Sequence, residues 1–192
     1  MQLSANGLNF IKQWEGFRAT PYNDGYGSMT IGYGHKIRAG ESFTQISEAQ
    51  ASQLLAQDVG WAEDTVSSYV SVPLTQSQFD ALVSLTFNWG AGNFAQSQLL
   101  QRLNAGDYSG AAERLGEWPV TSGGVYSAGL ANRRQAEKSL FLSEGSPVTT
   151  DQVIADQYFP TDQMLPGAPE GAGIPLLALA LGGLVLIVIL AR

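Results

Sequence analysis

The chain has no cysteine and a single histidine, His35, among its 192 residues. Without thiols, neither a disulfide nor a cysteine nucleophile is available. A catalytic zinc takes three protein ligands, mostly His or Cys, and one histidine leaves zinc chemistry without its usual donors. A Ser-His-Asp hydrolase would have to use His35 as its base. No G-x-S-x-G, P-loop or dinucleotide fingerprint is present. Positive charge is also scarce. Ten Lys and Arg stand against 17 Asp and Glu, a net charge of −7, the opposite of the basic face that nucleic acid requires. The first residues, MQLSANGLNF, lack a basic n-region and an apolar h-region, so no secretory signal is expected. Carboxylates remain for chemistry, and no metal or organic cofactor is expected.

Composition divides the chain into three. Residues 1–145 carry nine bases and 13 acids and read as one globular domain. Residues 146–171 carry four acids, no base and Pro147, Pro160, Pro166 and Pro169, the composition of a linker. Residues 172–191, AGIPLLALALGGLVLIVILA, are 20 residues without a charge. As a helix they would span roughly 30 Å, the thickness of a bilayer's hydrocarbon core. A buried core helix is the competing reading, but a domain this small rarely hides a helix apolar on every face. The expectation is a single-pass C-terminal transmembrane helix. Arg192 is the sole flanking base, so the orientation is open.

Within the first part, Ser4 can cap a helix whose Leu8, Ile11 and Trp14 recur at helical spacing, and Gly16 ends it. Residues 22–37 alternate Tyr, Thr and Ile with Gly, which predicts short strands and tight turns. Ser47 with Gln50, and Thr75 with Gln78, are capping-box pairs that open two more helices. Further helices fit 95–105, 107–116 and 130–143. The expected fold is α+β, a small sheet region near the N-terminus followed by a helical lobe.

The sheet region holds the chemistry. Cleaving a glycosidic bond takes one carboxyl group that keeps its proton and a second, ionised carboxylate. Glu15 stands at a helix end between Trp14 and Phe17's neighbourhood, an apolar setting suited to a proton-holding acid. Asp24 lies in the turn sequence YNDGYG, open to water. Thr30 can hold a water through its hydroxyl. Two acids nine residues apart are common, so this spacing alone is weak.

The wider pattern is not weak. E-x8-D-x5-T running into TIGYGH resembles the bacteriophage lysozymes of glycoside hydrolase family 24. LTQSQFDALVSLTFNWGAGNFAQSQLLQRLNAGDYSGAAERLGEW and GLANRRQAEKSLFL resemble the helical lobe of that family, in its lambdoid-endolysin form. The likeness covers residues 5–143. It implies a lysozyme-like fold with the active-site cleft between the sheet region and the helical lobe. It implies Glu15 as general acid, Asp24 assisting the nucleophilic water, and Thr30 positioning that water. The implied reaction is inverting hydrolysis of the β-1,4 bond between N-acetylmuramic acid and N-acetylglucosamine. It also implies a structural pair between His35 and Asp58. Trp89, Trp118 and Tyr126 are candidate sugar-binding residues, while Trp14 and Trp61 are expected in the core. One of Arg133 and Arg134 is expected to face inward, near Glu15 or the cleft, and the other solvent, without a choice between them.

The expected partners are bacterial peptidoglycan and membrane lipid, with other phage virion or lysis proteins a further class and nucleic acid none. The expected location is a membrane, either that of a membrane-containing virion, for entry, or the host inner membrane, for lysis. Two rivals stand: a lytic transglycosylase, and a non-catalytic wall-binding or structural membrane protein on the same scaffold.

Overall fold

The computed structural model describes residues 1–25, 27–116, 121–122, 125–143, 179–181 and 184–186. The chain divides into two compact units, Met1–Val148 and Thr149–Arg192.

The first unit opens with α1 (Ala5–Glu15), followed by β1 (Arg18–Asn23), β2 (Met29–Gly32) and β3 (His35–Lys36). The three strands form an antiparallel sheet in the order β1-β2-β3. Then come α2 (Glu48–Asp58), α3 (Gly60–Tyr69), α4 (Gln76–Trp89), α5 (Ala91–Ala95), α6 (Gln98–Asn104) and α7 (Tyr108–Gly116). A short hairpin of β4 (Thr121–Ser122) and β5 (Val125–Tyr126) precedes α8 (Ala128–Phe141). This is the expected α+β arrangement, a small antiparallel sheet with a mostly helical body.

Local chemistry sets the helix starts. Ser47 and Thr75 each accept from the N–H three residues on, and Gln50 and Gln78 return the bond to the cap's own N–H. Each capping box satisfies two N–H groups that a helix start otherwise leaves unpaired. The helix expected over 95–105 is the shorter α6, because Ser97 caps it by accepting from Leu100 N, and α5 lies before it and ends at Ala95. α3 had no expectation: it begins at Gly60 without a side-chain cap.

α4 is the centre of the unit. Every residue from Ser77 to Thr86 is buried, and α1, α3, α5 and α8 pack around it. Phe79, Leu82 and Leu85 of α4 join Ile11, Phe94, Leu103, Leu115 and Phe141 in the core, all at most 1% exposed. Each such side chain contributes about 1.5–3 kcal/mol by leaving water. A helix buried all round also carries polar residues inside, and Asp80 and Ser84 find partners on α1's cap and on α8.

In the second unit, β6 (Leu179–Leu181) and β7 (Leu184–Leu186) pair antiparallel, Leu181 opposite Leu184. This corrects the expected transmembrane helix over 172–191 at these six residues. Gly182–Gly183 separates the strands, a two-residue sequence suited to a tight hairpin turn. Each glycine also weakens a helix by roughly 1 kcal/mol relative to alanine. Among the described residues, no helix is long and apolar enough to cross a membrane. The rest of 172–191 and the whole linker segment 146–171 lie outside the described residues.

Candidate active site

Glu15 is the last residue of α1. Ser4 starts that helix by accepting from Gly7 N at 3.0 Å. Gly16 stops it with φ +70° and ψ 145°, a conformation that a Cβ disfavours. The chain then enters β1 two residues later, so the helix end and the sheet are joined by Gly16–Phe17. The Glu15 side chain is 24% exposed, and its Oε1 accepts from Arg133 Nη1 at 2.8 Å.

Arg133 comes from α8, 118 residues away in sequence. Its Nε donates to Glu137 Oε1 at 3.1 Å, and its Nη2 lies 3.5 Å from both the carbonyl and the hydroxyl of Ser84. Glu137 is fully buried. Its Oε1 also accepts from Ser84 Oγ at 2.8 Å and from Arg134 Nη2 at 3.1 Å. Arg134 Nε lies 3.0 Å from Glu137 Oε2, close enough for charge attraction, but the N–H does not point at the oxygen and no hydrogen bond forms. Arg134 Nη2 donates to Asn88 Oδ1 at 2.9 Å. Burial pushes the Glu137 carboxyl above its ordinary range, against the pull of both guanidiniums and the Ser84 hydroxyl. Burial likewise lowers Arg134, opposed by Glu137's charge and aided by Arg133's. The expectation of one solvated arginine is therefore corrected: Arg133 and Arg134 are 4% and 3% exposed, and Arg133 is the one that reaches Glu15.

Asp24 and Thr30 sit on the β1–β2 hairpin. Asp24 N donates to Ser28 O at 3.0 Å, and Asp24 Oδ1 accepts from Ser28 N at 3.0 Å. These two bonds close the loop and leave the carboxylate half-buried. Thr30 faces Tyr22 on β1 and Lys36 on β3. Between the Arg18↔Gly32 and Tyr22↔Thr30 pairs the register slips, with two extra residues on β1. Pro21 lies in that slip, where the missing N–H disturbs no regular ladder. Thr30 is 3% exposed, and among the described residues its Oγ1 has no hydrogen-bond partner. A buried hydroxyl without a protein partner is a place for a bound water or a substrate group.

Trp89 ends α4, half-buried against the core. Tyr126 on β5 is 66% exposed. Trp118 lies outside the described residues. Trp61 is not in the core as expected: it is 44% exposed and leans on Phe87, with ring centroids 6.1 Å apart. It falls on the outer side of α3, whose inward positions are taken by Ala62 and Val66. An apolar cavity of about 250 Å³, lined by residues including Met1, Val66, Val70 and Phe79, contains none of the candidate site residues.

His35 is 3% exposed. Its Nδ1 lies 2.7 Å from Asp58 Oδ2 and its Nε2 lies 3.0 Å from Glu41 Oε2. Arg38 Nη2 donates to Asp58 Oδ1 at 2.9 Å, and Arg38 N donates to Glu41 Oε2 at 2.8 Å. Burial alone would lower the His35 pKa. Hydrogen bonds to Glu41 and Asp58, and their charges, outweigh it and raise the value. Among the described residues, no cluster of His, Asp or Glu is arranged to hold a metal ion.

Sequence reasoning missed Glu41 and Glu137. Nothing in the polar loop around Glu41 marks its facing. Glu137 did leave a signal: it lies four residues after Arg133 and four before the buried Phe141, on the helix face that turns inward.

A family model for phage lysozyme matches residues 12–137, which include Glu15, Asp24, Thr30, His35, Asp58, Arg133 and Glu137. The endolysin of Acyrthosiphon pisum secondary endosymbiont phage 1 is 41% identical over 148 residues, covering 74% of this chain and 99% of that protein. Among solved structures, the muramidase domain of SpmX from Asticaccaulis excentricus superposes with a TM-score of 0.68 at 37% identity, covering 74% of this chain and 99% of that one. An endolysin from Escherichia coli O157:H7 phage FAHEc1 gives 0.68 at 40% identity, covering 77% and 97%. With its sheet, its helical body and this extent of likeness, the chain belongs to the phage lysozyme family and is a glycosidase of the lysozyme type.

Proposed function

We propose that this protein hydrolyses bacterial peptidoglycan at the β-1,4 bond between N-acetylmuramic acid and N-acetylglucosamine. The observation that carries this is Glu15: a half-buried carboxyl at a helix end, held on one oxygen by a buried arginine. Glu15 gives its proton to the leaving glycosidic oxygen from Oε2, the oxygen Arg133 does not hold. Asp24 draws a proton from the attacking water, and the Thr30 hydroxyl fixes that water on the opposite face of the sugar, so the anomeric centre inverts. Trp89, Trp118 and Tyr126 supply aromatic surface for the glycan.

The test is the chemistry of the fragments that the full chain releases from purified peptidoglycan. Hydrated reducing ends on muramic acid are expected by mass spectrometry, and Glu15→Gln should slow release by about 10²–10⁴-fold. A 1,6-anhydro product would replace hydrolysis by transglycosylation. Undiminished release by Glu15→Gln would overturn the assignment of the acid.

The uncharged run at 172–191 supports attachment to a membrane. An acidic wall hydrolase has little long-range attraction for an anionic wall, and an anchor would compensate by raising its local concentration. Co-flotation with lipid vesicles, lost on deletion of residues 172–191, is the expected result; flotation unchanged by the deletion would refute the anchor. Activity in purified virions would support a role in entry, and activity confined to lysing host membranes a role in lysis.

A further inference from the structure

We propose that Glu137 is a positioning residue for the reaction: it aims the Arg133 guanidinium at Glu15 and compensates its charge. This rests on the reading of Glu15 as the general acid.

Arg133 is held at three points. Nε is fixed by Glu137 at 3.1 Å, Nη2 lies over Ser84, and Nη1 is left to meet Glu15 at 2.8 Å. A guanidinium is planar, so fixing Nε and one terminal nitrogen sets the direction of the other. Glu137 is thus what turns a long, many-rotamer side chain into a rigid donor. Ser84 completes the grip, because its hydroxyl donates to the same Oε1 that holds Arg133 Nε.

Charge gives the second half of the argument. A general acid is neutral before it acts. At that moment Arg133 needs a carboxylate other than Glu15, since both arginines are almost fully buried and an uncompensated buried cation is costly. Glu137 touches both arginines. It allows Glu15 to be protonated and stay hydrogen-bonded to Arg133 without leaving that arginine unpaired. Arg134, anchored in turn by Asn88 at 2.9 Å, keeps Glu137 from swinging towards Arg133 alone.

The experiment measures kcat and KM on soluble glycan oligomers with the full chain, normalised to the folded fraction from circular dichroism. Glu137→Gln keeps the shape and removes the charge. It should lower kcat by about tenfold or more, with KM within twofold of the parent. In an Arg133→Lys background, where the fork is gone, the same change should cost less than twofold. Parental kcat in folded Glu137→Gln overturns the proposal, and so does an equal loss in both backgrounds. If Glu137→Gln does not fold, Ser84→Ala decides: it removes one hydroxyl from the grip and creates no buried charge. A fewfold loss in kcat at constant KM is expected, and parental kcat again overturns the proposal. Glu15→Gln runs alongside. If it stays active, the reading of the general acid has failed, whatever Glu137 does.

Discussion

The Nδ1 atom of His35 lies 2.7 Å from Asp58 Oδ2, inside a fold that leaves the ring 3% exposed. The other ring nitrogen faces Glu41. Only the imidazolium can donate to both carboxylates at once, which agrees with a pKa raised above the ordinary 6.5. The stabilisation is thus fully present below pH 6.5 and is lost as pH rises through the raised native value. At the acid end, Glu41 is held below its usual 4.5 by the Arg38 N–H and by His35. Its contribution is present above 4.5 and lost as pH falls through the lowered value. Asp58→Asn should therefore cost about 1.5–3 kcal/mol near pH 5.5 and distinctly less at pH 8.5. Urea unfolding at the two pH values measures this, and equal losses would dismiss the pairing.

Gly7 makes a different kind of prediction. A Cβ there would lie 2.6 Å from Asp80 Cγ and 2.6 Å from Leu3 Cδ1. Asp80 is 2% exposed, and it accepts from Ser4 N at 3.0 Å, from Ser4 Oγ, and from Gln76 Nε2 at 2.8 Å. Alanine usually favours a helix over glycine. Here the added methyl would push apart the α1 cap and α4, so Gly7→Ala should destabilise by about 1–3 kcal/mol. A raised melting temperature would show that the cap can move aside without loss.

The buried arginine pair is equally open to measurement. Were Arg134 a solvated residue, Arg134→Ala would change stability by roughly 0.5 kcal/mol or less. Its place against Glu137 and Asn88 predicts a loss of about 3–5 kcal/mol, because a buried carboxylate loses one of its two cations. Chemical denaturation near neutral pH separates the two outcomes.

What could be read from the sequence follows the range of the interactions involved. The starts at Ser4, Ser47 and Thr75 were legible because a cap and its partner are three residues apart. Glu15, Asp24 and Thr30 were legible only as a spaced pattern that resembles a family. The bond from Arg133 to Glu15 was not legible as a choice between two arginines, since it spans 118 residues and depends on how α8 packs on α4. Glu137 carries no motif of its own in the sequence RRQAEKS. Its companion Phe141 on the same face, 0% exposed, shows that the run turns inward. In the apolar run at 172–191, hydropathy measures only how well lipid accepts the side chains, whereas the pairing of Leu179–Leu181 with Leu184–Leu186 depends on backbone partners that hydropathy does not weigh.

Thr30 gives the cleanest separation of stability from chemistry. Among the described residues its buried Oγ1 has no protein partner, so Thr30→Val removes no internal hydrogen bond. It replaces a hydroxyl by a methyl of similar size on a β-strand, where valine is favoured. Burying an unpaired hydroxyl is unfavourable, so the variant should be as stable as the parent or more stable, by up to about 1 kcal/mol. If the hydroxyl holds the attacking water, wall hydrolysis should nevertheless fall by about 10²-fold or more. Melting temperature and lytic rate, measured on the same preparation, are expected to move independently. A variant that loses stability instead would place Thr30 in an internal hydrogen bond, and one that keeps full activity would remove it from the water site.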